Sequence, residues 1–370
     1  MQFDPMMLAR ARLAMRVGIR NHLFDPNVRM VSVGLPEKGG KIIENQLAIR
    51  YHVAEKYQTQ IQLETALKNG STQSDLRAPI RVGQFTFETD VVQGKYVPHV
   101  WGWNPWQPTP PPNPRAQRAD PMRGGLSISD EFHNSYGTLG GKVIDRATGV
   151  EMILSNWHVL VADWGARSGQ RIYQPGRLDG GISSDAVATL TRHAMGANLD
   201  AAVATLNGSR QLLTDQLNLN PVAGAALAQL GMEVTKSGRR TDVTRGRIVD
   251  VDATVRMTYG PVTKLIHNVM SIEPLVSFEQ VSGPGDSGSL WIDTATNLAV
   301  GLHFAGSDFP ERGLAIDLPT VLDALNVRLA IAPAAASARR AAWSGIQLGI
   351  VAPAATPMPA SQAQEALVAR

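Results

Sequence analysis

From Gly124 onwards the chain is built from short runs rich in β-branched and aliphatic residues. They are Thr138 to Ile144, Glu151 to Leu154, Ala186 to Thr191, Ala201 to Leu206, Arg247 to Val251, Leu290 to Ile292 and Val300 to Phe304, set between turns of Gly, Asp and Asn. Segments this short cannot make the long helices of a bundle or the crossovers of a parallel sheet, and their even spacing predicts antiparallel strands rolled into barrels or packed as a sandwich. No cysteine occurs anywhere in the 370 residues, so packing alone must stabilise the fold. The same absence excludes disulfides, thiolate catalysis and Cys-based zinc or iron–sulfur sites.

Upstream the pattern differs. Met7, Leu8, Ala11, Met15 and Ile19 recur at three- and four-residue steps with arginines between them, which predicts an amphipathic helix over Met6 to Arg20. Val28 to Gly34 and Gln46 to Val53 flank the turn-prone Pro36-Glu37-Lys38-Gly39-Gly40 and predict a hairpin; a helical stretch from about Gln60 to Lys68 and a strand-like run from Ile80 to Val92 follow. The expected organisation is a helix plus a small α/β domain over 1–97, a Pro-rich linker over 98–123, and β domains over 124–327, with one barrel at about 124–215, a second at about 225–318 and a terminal helix near 319–326. The Ala- and Pro-rich stretch 328–370 reads as a partly disordered tail.

Lys plus Arg number 35 against 32 Asp plus Glu, a surplus too small and too dispersed to suggest nucleic acid as a partner. No run of about 18 apolar residues predicts a membrane-spanning helix, and Arg10, Arg12, Arg16 and Arg20 interrupt the start where a signal peptide would be apolar, so a cytoplasmic location is expected. No His-Glu-x-x-His motif and no cofactor fingerprint occurs, so neither a metal nor an organic cofactor is expected.

One motif carries chemistry. In Gly283-Pro284-Gly285-Asp286-Ser287-Gly288-Ser289, a serine flanked by glycines can hold its hydroxyl outward while the backbone N–H groups of Gly285 and Ser287 converge on one point, as an oxyanion hole requires. A phosphate-binding loop would need a following Lys-Ser or Lys-Thr and a helix, and a strand follows instead. A serine nucleophile needs a base, and His158 stands just after the apolar run Met152-Ile153-Leu154. The base needs a carboxylate to orient it; Asp200, immediately before Ala201-Ala202-Val203-Ala204, fits better than the look-alike Asp185.

With the order His158, Asp200, Ser287, these motifs resemble those of trypsin/chymotrypsin-fold serine proteases. A narrower resemblance, carried by Gly231 to Thr241, Gly246 to Val249 and Gly301 to Ser307, is to bacterial trypsin-like proteins related to the plant narrow-leaf serine proteases. The resemblance implies a mostly β, chymotrypsin-like double barrel behind a small N-terminal α/β domain, and a serine endopeptidase acting on protein or peptide substrates. Its catalytic residues would be His158, Asp200 and Ser287, and its substrate pocket would involve Val281, His303 and Gly306. An uncharged Val281 at the pocket base disfavours Arg and Lys side chains. His303 falls where some relatives place a histidine that binds Gln or Glu, although a buried structural histidine fits the same position. The N-terminal domain would shield the cleft, present substrate or mediate self-association, and the Pro-rich link is a candidate internal inhibitor. A catalytically latent scaffold remains the rival reading.

Overall fold

The computed structural model describes residues 3–39, 41–56, 75–98, 101–102, 113–166, 168–276, 279–308 and 310–332. The helical stretch expected near Gln60 to Lys68, most of the Pro-rich run and the tail beyond 332 lie outside the described residues.

The chain opens with helix α1 (Pro5–His22). Asp4 caps it by accepting the Met6 N–H at 3.1 Å, Pro5 supplies a preset first-turn φ, and one face of Ala11, Ala14, Met15 and Gly18 is buried. Strands β1 (Val28–Gly34) and β2 (Ala48–Val53) form the expected antiparallel pair, and β3 (Phe85–Gln93) lies parallel to β2. The run from Ile80 is two strands rather than one, because Gly83 at φ +60° turns the chain between Ile80–Val82 and β3. Two short strands follow, β4 (Val97–Pro98) and β5 (Trp101–Gly102).

The first barrel contains β6 (Ser127–Asp130), β7 (Ser135–Thr138), β8 (Gly141–Asp145), β9 (Glu151–Ser155), β10 (Arg171–Tyr173), β11 (Ala186–His193) and β12 (Ala202–Leu206). Its sheet runs β8-β9-β12-β11-β10-β6-β7, with a short helix α2 (Trp157–Leu160) between β9 and β10. Ile153, Leu154, Val203 and Ala204 are fully buried on the central strands, where each large aliphatic side chain contributes roughly 1.5–3 kcal/mol.

The second barrel contains β13 (Glu233–Gly238), β14 (Asp242–Tyr259), β15 (Val262–Pro274), β16 (Leu290–Asp293), β17 (Leu298–Asp308) and β18 (Glu311–Asp317). It runs β13-β16-β17-β18-β15-β14 and closes where β14 returns to pair with β13. Helix α3 (Leu318–Ala324) follows, and β19 (Val327–Leu329) crosses back to pair with β8 of the first barrel.

The short strand expected at Arg247 to Val251 is the middle of an 18-residue strand, and its partner β15 was not anticipated. The alternating pattern that would reveal this hairpin is broken by bulges where the pairing register shifts, among them the stretch around Asp252, which has positive φ. The extra length has a purpose in the fold: the far half of β14 pairs with β1, with Val31 opposite Thr254 and Gly34 opposite Asp250. The N-terminal strands therefore continue the sheet of the second barrel, and residues 1–332 form one compact unit.

Buried charge ties this junction. Arg50 of β2 meets Asp250 of β14 at 3.2 Å and Asp90 of β3 at 3.2 Å, while His52 lies 3.4 Å from Asp250 and 2.6 Å from the Tyr96 hydroxyl. Burial, reinforced by Arg50 and Arg312, pushes His52 down to about 4 despite the attraction of Asp250. Burial alone would raise the Asp250 carboxyl, but Arg50, His52 and Arg312 hold it well below the ordinary carboxylate range.

Candidate active site

Three segments converge on the cleft. β9 ends at Ser155 and the chain turns at once into α2, whose four residues are all buried, so His158 is held by a helical turn rather than by a loop. Asp200 lies just before β12 and is fully buried. The Asp200 carboxylate accepts twice from His158: from the ring Nδ1 at 2.5 Å through Oδ2, and from the backbone N–H at 3.1 Å through Oδ1. This fixes both the position of the residue and the tautomer of its ring, with the neutral imidazole leaving Nε2 as the acceptor. Asp185 is elsewhere, accepting the Ile182 N–H at 3.2 Å and facing Arg118 at 3.5 Å.

Two residues that the sequence reading did not single out complete this half of the site. The Tyr259 hydroxyl, at the end of β14, donates to Asp200 Oδ2 at 2.8 Å, and Asn156 Nδ2 donates to the Asp200 carbonyl at 2.7 Å. Burial and then the Asp200 charge push the Tyr259 phenol far above its usual range, so it stays protonated as a donor. Asn156 stands beside the histidine in sequence and could have been noticed; Tyr259 arrives from the other barrel, and no local signal marks it.

Ser287 sits in the turn Gly283 to Ser289, between the barrels. Gly285 adopts φ +108°, and a Cβ there would lie 2.3 Å from the Tyr136 ring, so glycine is required on both counts. Thr138 Oγ1 donates to the Gly285 carbonyl at 2.8 Å, and the Thr138 N–H donates to the Ser287 carbonyl at 2.7 Å. Those two bonds aim the loop carbonyls at Thr138. Among the described residues, the N–H groups of Gly285 and Ser287 make no backbone hydrogen bond, as donors reserved for an oxyanion would.

Asp286 anchors the loop from below. Its carboxylate meets Lys236 Nζ at 2.9 Å and accepts from Thr241 Oγ1 at 2.6 Å and from the N–H groups of Arg240, Thr241 and Gly283. Burial opposes ionisation, but Lys236, Thr241 and His303 hold the carboxyl far below the ordinary range. Lys236 is itself fully buried, and burial lowers its ammonium despite Asp286.

His158 and Ser287 are 5% and 0% exposed. The Ser287 hydroxyl donates to the Phe304 carbonyl at 3.1 Å, and His158 Nε2 has no hydrogen-bond partner among the described residues. The structure thus joins His158 to Asp200 directly but turns the Ser287 hydroxyl towards β17. Beside His158 lies a cavity of about 610 Å³ lined by Pro98, Ser135, Trp157, Trp164 and Tyr259, among others.

The residues expected to line a substrate pocket, Val281, His303 and Gly306, are all buried. Val281 is fully buried, and its N–H donates to Glu311 Oε1 at 2.9 Å. His303 accepts from Trp291 Nε1 at 3.3 Å through Nδ1, so a neutral ring carries its proton on Nε2. Ser282, not anticipated, is buried with no hydrogen-bond partner for its hydroxyl among the described residues. Gly313 lies opposite Gly306 on β18, and a Cβ at Gly313 would lie 3.3 Å from Ser282 Oγ and 3.4 Å from the His303 ring.

No family model and no curated protein matches the sequence. Among solved structures, a glutamic acid-specific serine protease described as using a histidine triad in substrate binding shares 19% identity, with 56% of this chain and 100% of that chain covered at a TM-score of 0.42. Thermobifida fusca protease A shares 16% identity over 57% of this chain and 99% of its own, at a TM-score of 0.41. The Nocardiopsis protease shares 22% identity over 57% and 99%, at a TM-score of 0.41. In its two barrels, with an added N-terminal α/β layer, the chain is similar in fold to the chymotrypsin-like serine proteases.

Proposed function

We propose that the protein is a serine endopeptidase. The observation that carries this reading is the doubly bonded His158–Asp200 pair, with Ser287 in a glycine-shaped loop where, among the described residues, the N–H groups of Gly285 and Ser287 make no backbone hydrogen bond. After rotation of its side chain away from Phe304, Ser287 Oγ attacks the scissile carbonyl while its proton passes to His158 Nε2. The negative oxygen of the tetrahedral intermediate is received by the N–H groups of Gly285 and Ser287. The C–N bond breaks, His158 returns the proton to the departing amine, and the acyl group stays on Ser287. Water then repeats the attack with His158 as base, releasing the acid and restoring the serine. Asp200 holds the Nδ1–H of His158 throughout and stabilises the imidazolium.

The pocket supports a polar, uncharged or acidic side chain before the scissile bond. Val281 offers no counter-charge for Lys or Arg, whereas Ser282 Oγ and the His303 ring are the polar groups that a side chain at Gly313 would meet. Peptide libraries should therefore show Gln or Glu ahead of Arg; a clear preference for Arg would overturn this pocket assignment.

The activity is tested by labelling the full-length protein with a fluorophosphonate, which requires an activated serine but no particular peptide. Ser287→Ala and His158→Ala should each abolish labelling while leaving the circular dichroism spectrum unchanged. A folded wild-type protein that does not label would favour the latent-scaffold reading, to which the Ser287–Phe304 hydrogen bond of the resting structure lends support.

A further inference from the structure

An extended peptide binds at a sheet edge through main-chain hydrogen bonds, and its side chains fall alternately into pockets. Two such edges flank the catalytic residues. On one side, β17 runs from Phe304, whose carbonyl holds the Ser287 hydroxyl, into Ala305 and Gly306. On the other, β7 runs from Ser135 into Thr138, whose hydroxyl holds the oxyanion loop.

Both edges are taken by the chain itself. β4 pairs antiparallel with β17, Val97 opposite Gly306 and Pro98 opposite Ala305. β5 pairs antiparallel with β7, Trp101 opposite Tyr136 and Gly102 opposite Ser135. Pro98 also lines the cavity beside His158. The two strands are consecutive in sequence, so the segment meets the edge behind the nucleophile first and the edge beyond it second. His99 and Val100, between the strands, lie outside the described residues.

We propose that β4 and β5 fill the peptide-binding cleft of the resting chain in the manner of a substrate, so that a peptide gains access only when β4 leaves β17. The proposal rests on the endopeptidase reading above and names how that site is regulated. The block is weak enough to be displaced: β4 is two residues long and Val97 is 49% exposed, so little apolar surface holds it down. Proline suits the role, since its fixed φ keeps the segment extended while its missing N–H leaves one fewer bond to break.

The test compares the full-length wild type with a Val97→Gly/Pro98→Gly variant, which weakens the extended preference of β4 without replacing a residue of either barrel. Hydrolysis of a peptide anilide should show KM lowered roughly tenfold with kcat nearly unchanged, because an intramolecular occupant reduces apparent affinity by the fraction of open chain. A second measurement needs no variant: when Ser287 of the wild type is capped with a tripeptidyl phosphonate, amide hydrogen exchange at Val97, Trp101 and Gly102 should accelerate. Cleavage of the wild type between 98 and 101 that Ser287→Ala prevents would also support the proposal. Equal KM for the two proteins together with unchanged exchange would overturn it while leaving the nucleophile in place. Failure of both proteins to label with fluorophosphonate would instead remove the endopeptidase reading, and this proposal with it.

Discussion

Asp200 is the residue on which the site turns, because it orients His158 through side chain and backbone and is itself steered by Tyr259 and Asn156. Replacing it with Asn keeps the shape but offers an amide where the Nδ1–H needs an acceptor, so Asp200→Asn should lower the labelling rate by about 10³–10⁴-fold with little change in stability. Tyr259→Phe removes one donor to a buried charge; we expect a loss of about 1.5–3 kcal/mol in stability by urea unfolding and a smaller decline in labelling. Lys236 is a harsher case. Lys236→Met would leave Asp286 buried without its counter-charge in the loop that carries Ser287, costing about 3–5 kcal/mol in the same assay, and labelling should fail even in the fraction that stays folded. These residues differ in how far the sequence reveals them. Ser287, His158 and Asp200 stand in motifs whose chemistry is readable locally, whereas Tyr259, Lys236 and Ser282 acquire their roles from partners 59, 50 and 31 positions away or from a space that only folding creates.

At the scale of elements, the junction between β2 and β14 makes a pH-dependent prediction. The His52 imidazole lies at about 4 in the folded chain against about 6.5 unfolded, so below the unfolded value the unfolded state binds the extra proton. Stability contributed by the neutral ring is present above pH 6.5 and is lost as pH falls towards 4. Urea unfolding at pH 5 should therefore be weaker than at pH 7 by about 2 kcal/mol from this residue, and His52→Gln should flatten that part of the profile. An unaltered slope in the variant would show that other groups carry the titration. The sequence announced both β1 and β2 through short runs rich in β-branched residues on either side of a turn-prone stretch. It did not announce β15 or the length of β14, since polar Asp250 and Asp252 and the bulges around them interrupt the alternation.

For the whole molecule, the N-terminal layer should not be separable from the barrels. A chain beginning at Gly124 would lose β1 from the edge of β14, expose Ile248, Val251 and Met270, and strip Arg50 and His52 from the buried Asp250. We predict that such a chain aggregates or unfolds without a cooperative transition by calorimetry, while the full-length protein unfolds as one unit; a well-folded truncated protein would contradict the role given to this sheet.

What the sequence determined by itself was local: a cysteine-free, strand-rich body, a helix with a small α/β start, and three residues in the order His158, Asp200, Ser287. Periodicity, turn chemistry and flanking glycines act over a few residues, so they can be read without knowing the partner. The tertiary structure decided the rest. It set β1 on β14, brought Tyr259 to Asp200 and Lys236 to Asp286, and paired β4 with β17 and β5 with β7. Each of these depends on pairing between segments far apart in the chain, where the free energy comes from desolvating surfaces and charges together and no single segment carries the signal alone.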